Sequence, residues 1–145
     1  MLITRDSGAE DIELPEYKSD GASGMDVRAA LDAPLTLTPG QIVLVPTGLR
    51  VAVPVGYEVQ VRPRSGLSLK HGITVVNTPG TIDADYRGPV GIILGNVSQV
   101  PFTINRGDRI AQLVIQQVVH ADVQIVDNLD ETARGEGGFG SSGIN

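Results

Sequence analysis

Turn-forming residues interrupt this sequence roughly every ten positions, and that spacing limits what the chain can fold into. Gln41–Val45 and Leu49–Val53 are β-branched runs bracketed by Pro39-Gly40, Pro46 to Gly48 and Pro54 to Gly56. Tyr57–Arg62 alternates with period two and stops at Pro63. Ile73–Val76, Val90–Leu94, Ile110–Gln116 and Val118–Val126 continue the series. Short strands with turn signals between them predict an all-β domain of the sandwich, jelly-roll or barrel kind. Helix is confined to one short turn across Ser65–Lys70, with Ser65 placed to cap it and Gly72 to end it.

The chain has 145 residues, enough for one domain with a real core. Hydrophobic residues make up 41% of it and aromatics only 3%, so that core must be Val, Ile, Leu and Ala. From Thr132 the character changes: Arg134-Gly135-Glu136-Gly137-Gly138-Phe139-Gly140-Ser141-Ser142-Gly143 has too little side chain to pack. The reading is therefore a β domain over residues 1–131 and a flexible Gly-rich C-terminal tail over 132–145. Net charge is −6, with no basic stripe, which argues against a nucleic-acid partner. No cysteine is present, so disulfides and thiol chemistry are excluded. Met1-Leu2-Ile3-Thr4-Arg5-Asp6 lacks the apolar core of a signal peptide, and no apolar run could cross a bilayer as a helix. The expectation is a soluble cytoplasmic protein with no membrane partner.

Four segments carry chemistry. Arg62-Pro63-Arg64-Ser65-Gly66 sets two guanidinium groups and a hydroxyl at the end of a strand, which reads equally as an anion site or as a capped turn. Asn77-Thr78-Pro79-Gly80-Thr81-Ile82-Asp83-Ala84-Asp85-Tyr86-Arg87-Gly88 is the richest stretch. If extended, it puts Asp83 and Asp85 on one face, as a base beside a metal-binding group; as a hairpin loop its Asp residues bond their own backbone. Arg106-Gly107-Asp108-Arg109-Ile110-Ala111-Gln112 reads as a turn entering a strand, with Gln112 an amide on an apolar run. The tail matches Gly-x-Gly-x-x-Gly at Gly135, Gly137 and Gly140, but only five residues follow, too few for the helix a dinucleotide site requires. It is a strip that can wrap a phosphorylated ligand, with Arg134 for charge and Phe139 to stack on a base. His71 and His120 are isolated, and no phosphate-binding loop of the Gly-x-x-x-x-Gly-Lys type occurs.

Taken in order, Ser23-Gly24-Met25-Asp26-Val27-Arg28-Ala29, Arg62 to Leu67, Gly80 to Gly88, Gly107 to Gln112 and Arg134 to Gly143 resemble the five motifs of the trimeric dUTPase family. The resemblance spans residues 23 to 143. It implies a jelly-roll-like β-barrel that forms a homotrimer with active sites shared between subunits. It also implies an enzyme that hydrolyses dUTP to dUMP and pyrophosphate, limiting uracil incorporation into DNA and supplying dUMP for dTMP synthesis. By match, Asp83 would be the general base. Arg64, Ser65, Gly66, Gln112, Arg134, Ser141 and Ser142 would hold phosphates. Asn77, Thr81, Ile82 and Tyr86 would receive uracil and deoxyribose, and Phe139 would cover the base. Mg²⁺ would arrive on the triphosphate, with Asp26 supporting it indirectly through water. Asp85 is read as shaping the hairpin. Pro89 departs from the pattern by removing an N–H where a strand should begin, which is tolerable at a first position. Two alternatives are a dCTP deaminase of the same fold, which would need a glutamate absent from this hairpin, and a non-catalytic nucleotide-binding regulator.

Overall fold

Antiparallel pairing joins every strand to its neighbours in the structure, a computed structural model that describes residues 1–138. The elements run β1 (Leu2–Arg5), β2 (Glu16–Tyr17), β3 (Met25–Arg28), β4 (Leu35–Leu37), β5 (Ile42–Pro46), β6 (Leu49–Ala52), β7 (Tyr57–Arg62), α1 (Ser65–His71), β8 (Ile73–Val75), β9 (Gly80–Ile82), β10 (Gly91–Asn96), β11 (Phe102–Ile104) and β12 (Arg109–Gln117). They form a five-stranded sheet ordered β2-β3-β12-β7-β9, a three-stranded sheet β5-β10-β8, and the pairs β1-β6 and β11-β4. The fold is all-β and jelly-roll-like, with one short helix.

Alternation explains which residues pack. In β7, Val59 and Val61 are buried while Glu58, Gln60 and Arg62 face out, as a period of two requires. The core they join is aliphatic: Leu37, Leu49, Ile73, Ile92, Leu94, Ile104, Ile110 and Leu113 are its largest fully buried side chains. In β12 the alternation breaks. Ile110 and Ala111 are both buried, and the register against β3 slips between Arg109 and Ala111, a β-bulge. The bulge turns Gln112 to the outer face, opposite Asp26 of β3 and Arg62 of β7.

Several sequence expectations change here. Ser65 is not the helix cap. Arg64 holds that position in extended backbone (φ −90°, ψ 125°), and no side chain caps the helix, because a guanidinium has no acceptor to offer its first N–H groups. Gly72 does end the helix, at φ 63°, and a Cβ there would lie 2.7 Å from that of Ser98. Val118–Val126 is no strand. Among the described residues no strand lies beside it, and Val119, Val123 and Ile125 stand almost wholly exposed. Pro89 precedes β10 rather than opening it, so its missing N–H costs no ladder bond.

Candidate active site

The segment carrying Asp83 is a loop clamped at both ends. Its entry is β9, paired to β7 in the register Val59↔Ile82, Gln60↔Thr81. Its exit is Val90, whose N–H donates to Leu49 O at 2.8 Å while its carbonyl accepts from Thr47 Oγ1 at 2.6 Å. Between the clamps the loop braces itself. Tyr86 N–H donates to Asp83 O at 3.2 Å, and Arg87 Nη1 donates to Ala84 O and Tyr86 O, both at 2.7 Å. Asp83 therefore opens a turn with Ala84 and Asp85 at its centre, and the extended geometry that would put both carboxylates on one face is not formed.

Tyr86 is placed by its own hydroxyl, which donates to Pro89 O at 3.0 Å and lays the ring over Gly88. Only glycine fits beneath it: a Cβ at position 88 would stand 2.2 Å from Tyr86 Oη. The ring, with Thr81, Ile82 and Asp83, borders a cavity of about 360 Å³ whose far wall includes Leu44 and Gly91. Asp83 is exposed at this cavity, whereas Ile82 sits in the core and offers the cavity chiefly its backbone. Asn77 is exposed in the turn before β9, its Nδ2 lying 3.0 Å from where a Cβ on Gly80 would be, and it does not line that cavity.

A second cluster is built around Asp26. This carboxylate is 7% exposed, and each oxygen meets a guanidinium: Arg64 Nε donates to Oδ1 at 3.1 Å and Arg109 Nη1 to Oδ2 at 2.9 Å. Gln112 Nε2 approaches Oδ1 at 3.4 Å, and Arg64 Nη1 also donates to Arg109 O at 3.0 Å. Gly24 leaves room for this; a Cβ there would press within 3.3 Å of Gln112 Cβ. Asp26 thus fixes two cations and an amide on one face of the sheet, with Ser65 and Gly66 exposed just beyond. Sequence reading found Asp26, Arg64 and Gln112 but missed Arg109. The available signal was its place three residues before Gln112, across from β3.

These two clusters do not meet within one chain. Asp83 follows β9 beside Glu58, at one end of β7, while Arg64 lies two residues past the other end. Six extended residues separate those levels by about 20 Å. Arg134, in the described part of the tail, is exposed and donates to Gly137 O at 2.8 Å, away from both clusters. Phe139, Ser141 and Ser142 lie outside the described residues.

The Arg106-Gly107-Asp108 turn is structural. Arg106 makes a two-pronged ion pair with Asp11 (2.9 and 2.6 Å) and donates to Leu31 O at 3.0 Å, tying the N-terminal loop to the turn before β12. The guanidinium holds the Asp11 carboxyl below its usual range, and the carboxylate in turn raises Arg106.

A family model for dUTPase matches residues 10–143. The chain belongs to the dUTPase family. It is 58% identical over 135 residues to the deoxyuridine 5′-triphosphate nucleotidohydrolase of Desulfotalea psychrophila, covering 93% of this chain and 90% of that one. Its identity to the protein of the same name from Rhizobium etli is 56% over 146 residues, covering 99% and 94%. Among solved structures, the Staphylococcus bacteriophage 80alpha dUTPase with dUPNHPP superposes with a TM-score of 0.85 at 26% identity, covering 99% of each chain. A dUTPase from phage phi11 of S. aureus, described with a structural Mg(II) ion, has the same fold (TM-score 0.78, 24% identity, 90% and 100% covered). Among the described residues no helix is long and apolar enough to cross a membrane.

Proposed function

We propose that this member of the dUTPase family hydrolyses dUTP to dUMP and pyrophosphate, by attack of water on the α-phosphorus. The observation that carries the reading is the clamped loop: it presents an exposed carboxylate, Asp83, at the mouth of a cavity walled by the Tyr86 ring. Uracil and deoxyribose occupy that cavity, with backbone of the loop and β10 reading the base edge and Asn77 and Thr81 at its margin. Tyr86 packs on the sugar where a 2′-hydroxyl would stand, so the pocket selects by exclusion. Asp83 orients the attacking water and takes its proton, leaving positioning and charge stabilisation to supply most of the barrier reduction. Arg64, Ser65, Gly66 and Gln112 hold the phosphates, joined by Arg134, Ser141 and Ser142 as the tail closes and Phe139 covers the base.

Adjacent phosphates are one bridging oxygen apart, so the base and the phosphate-binding cations must stand close together around one substrate. In a single chain they are at opposite ends of β7. This supports a site in which the Asp83 cavity of one copy faces the Asp26 cluster of another, and hence the homotrimer with shared sites. The Val118–Leu129 arm, rich in exposed apolar residues and without a partner strand among the described residues, supports the same assembly.

For the metal, the donor set matters. Among the described residues no group of three His, Cys, Asp or Glu side chains gathers, and Asp26 is already neutralised by two arginines. That chemistry fits an ion carried on the triphosphate rather than one caged by protein. Mg²⁺, when bound there, would offset phosphate charge and stabilise the leaving pyrophosphate, with Asp26 reaching it only through water. The reading makes this a cytoplasmic enzyme, where its nucleotide substrate is. Pyrophosphate release from dUTP, assayed beside ammonia release from dCTP, tests it: ammonia would mean a deaminase, and neither product a non-catalytic binder.

A further inference from the structure

β7 links both clusters, and its outer face is charged in a directional way. Glu58, Gln60 and Arg62 alternate with buried Val59 and Val61, so they share that face. Gln60 stands between opposite charges and bonds both: its Nε2 donates to Glu58 Oε1 at 2.7 Å, and its Oε1 accepts from Arg62 Nε and Nη2 at 3.1 and 2.7 Å. The amide holds the two charged groups in line along the strand. Their levels are four residues, or about 13 Å, apart. Among the described residues, neither Glu58 nor Arg62 takes part in any of the six ion pairs.

Glu58 borders a cavity together with Asp83, and Arg62 is two residues from Arg64 and directly across from Gln112. The negative end of the strand face thus belongs to the Asp83 half of the site, and the positive end to the phosphate half. We infer that Arg62 of one copy pairs with Glu58 of the next, head to tail around a closed ring, and that this contact sets the register in which Asp83 of one chain meets Arg64 and Gln112 of another. The inference rests on the shared-site reading above and names the contact that would align it. Head-to-tail contacts generate rings when the rotation closes, and opposite charges at the two ends of one face let each copy meet the next positive end to negative end; an antiparallel two-fold docking would match the same charges but would sediment as a dimer. A pair of this kind contributes orientation more than affinity, because like charges meet when two such faces dock parallel and in register. Glu58 is already half-buried in the single chain, so covering it without a cation would be costly.

The test uses the full chain and a charge swap. E58R and R62E each place like charges at every contact of the ring, whereas E58R/R62E restores opposite ones with the polarity exchanged. Sedimentation velocity over a dilution series and dUTP hydrolysis with Mg²⁺ are measured for all three and for R62Q, with far-UV circular dichroism to establish folding. The single reversals should weaken assembly by about tenfold or more and lower kcat/KM in parallel, R62Q should fall between, and the double variant should recover assembly, though not turnover, to within about threefold, because its arginine at position 58 stands beside Asp83. Single variants that assemble and react like the parent, or a double variant no better than the two singles combined, would overturn the pairing. Failure of the shared-site reading looks different: the parent chain itself would then sediment as an active monomer, before any substitution is made.

Discussion

Replacing Gly88 with alanine should separate substrate selectivity from fold stability in this chain. The added Cβ would come within 2.2 Å of Tyr86 Oη, 2.5 Å of Cζ and 2.9 Å of Cε2, so the ring must retreat. Retreat is open to it, since Tyr86 is 41% exposed and no core atom need follow. What is lost is the hydroxyl's bond to Pro89 O, worth about 1 kcal/mol, or a fall of roughly 3 °C in Tm for a domain of this size. The effect on catalysis is larger. A displacement on the order of 1 Å at a substrate-contacting wall costs up to about 100-fold in kcat/KM for dUTP. The same movement clears space for a 2′-hydroxyl, so the preference for dUTP over UTP should shrink by about tenfold or more. Steady-state kcat/KM for both nucleotides, with a thermal melt, gives all three quantities. Y86F is the companion: it loses the bond that places the ring but crowds nothing beneath it, so selectivity should fall less than in Gly88→Ala. If Gly88→Ala left the dUTP/UTP ratio within twofold of the parent, the ring would not be the excluding wall. A Tm drop of 10 °C would instead mean that the loop supports the core.

Three other substitutions and a truncation bear on the proposed chemistry and the scaffold. Asp83→Asn should lower kcat by about two to four orders of magnitude while an unhydrolysable analogue still binds, whereas Asp85→Asn should stay near the parent rate; pyrophosphate release and analogue titration distinguish them. Truncation before Arg134 should leave Tm within about 2 °C, because the described tail is exposed and buries no core, yet remove most activity; a large Tm loss would make the tail structural. Asp11→Asn removes the carboxylate that Arg106 holds below its ordinary 3.8 while leaving the bond from Arg106 to Leu31 O in place. Because the folded value is the lower one, the pair's contribution is present above that ordinary pKa and lost as pH falls through the depressed one. The Tm difference between variant and parent should therefore be small and constant near neutrality, and close as pH falls below 3.8; a difference that persists in acid would refute the ion pair as its source.

How much of this was legible in the sequence depends on how many residues each feature uses. Tyr57–Arg62 was readable to the residue because six positions alternate cleanly and Pro63 stops them. The strands Leu2–Arg5, Glu16–Tyr17, Leu35–Leu37 and Phe102–Ile104 were not, since two to four residues carry no period and several face water. Val118–Val126 has the composition of a strand, but pairing is a property of what lies alongside, and no strand among the described residues does. The same limit applies at the site. Asp83, Tyr86, Arg64 and Gln112 were legible as chemistry-bearing residues in recognisable motifs. That Asp26 gathers Arg64 and Arg109 was not, because the bulge after Arg109 that turns Gln112 outward leaves no local signature. The self-bracing of the Asp83 loop by Arg87 was hidden for a related reason: an arginine bonded to neighbouring carbonyls reads, in sequence, like any solvated cation.

The charge layout resolves how an acidic chain handles a polyanion. Around the Asp26 cluster, Arg64 and Arg109 outnumber the one carboxylate they share, and Arg62 adds another cation one strand away. At the other end of β7, Asp83, Asp85 and Glu58 stand with Arg87, whose guanidinium is turned into the loop's own carbonyls. A single copy therefore separates the two things the proposed reaction needs: a cationic surface for phosphates and an unpaired carboxylate to take a proton. Keeping them at opposite ends of one strand prevents Arg64 or Arg109 from neutralising Asp83 within the chain. In the proposed head-to-tail assembly the two would meet at the same substrate, where phosphates can occupy the cations while the carboxylate stays free for water. On this account assembly supplies the proximity, and Asp26, which already holds Arg64 and Arg109, keeps them from turning to the base.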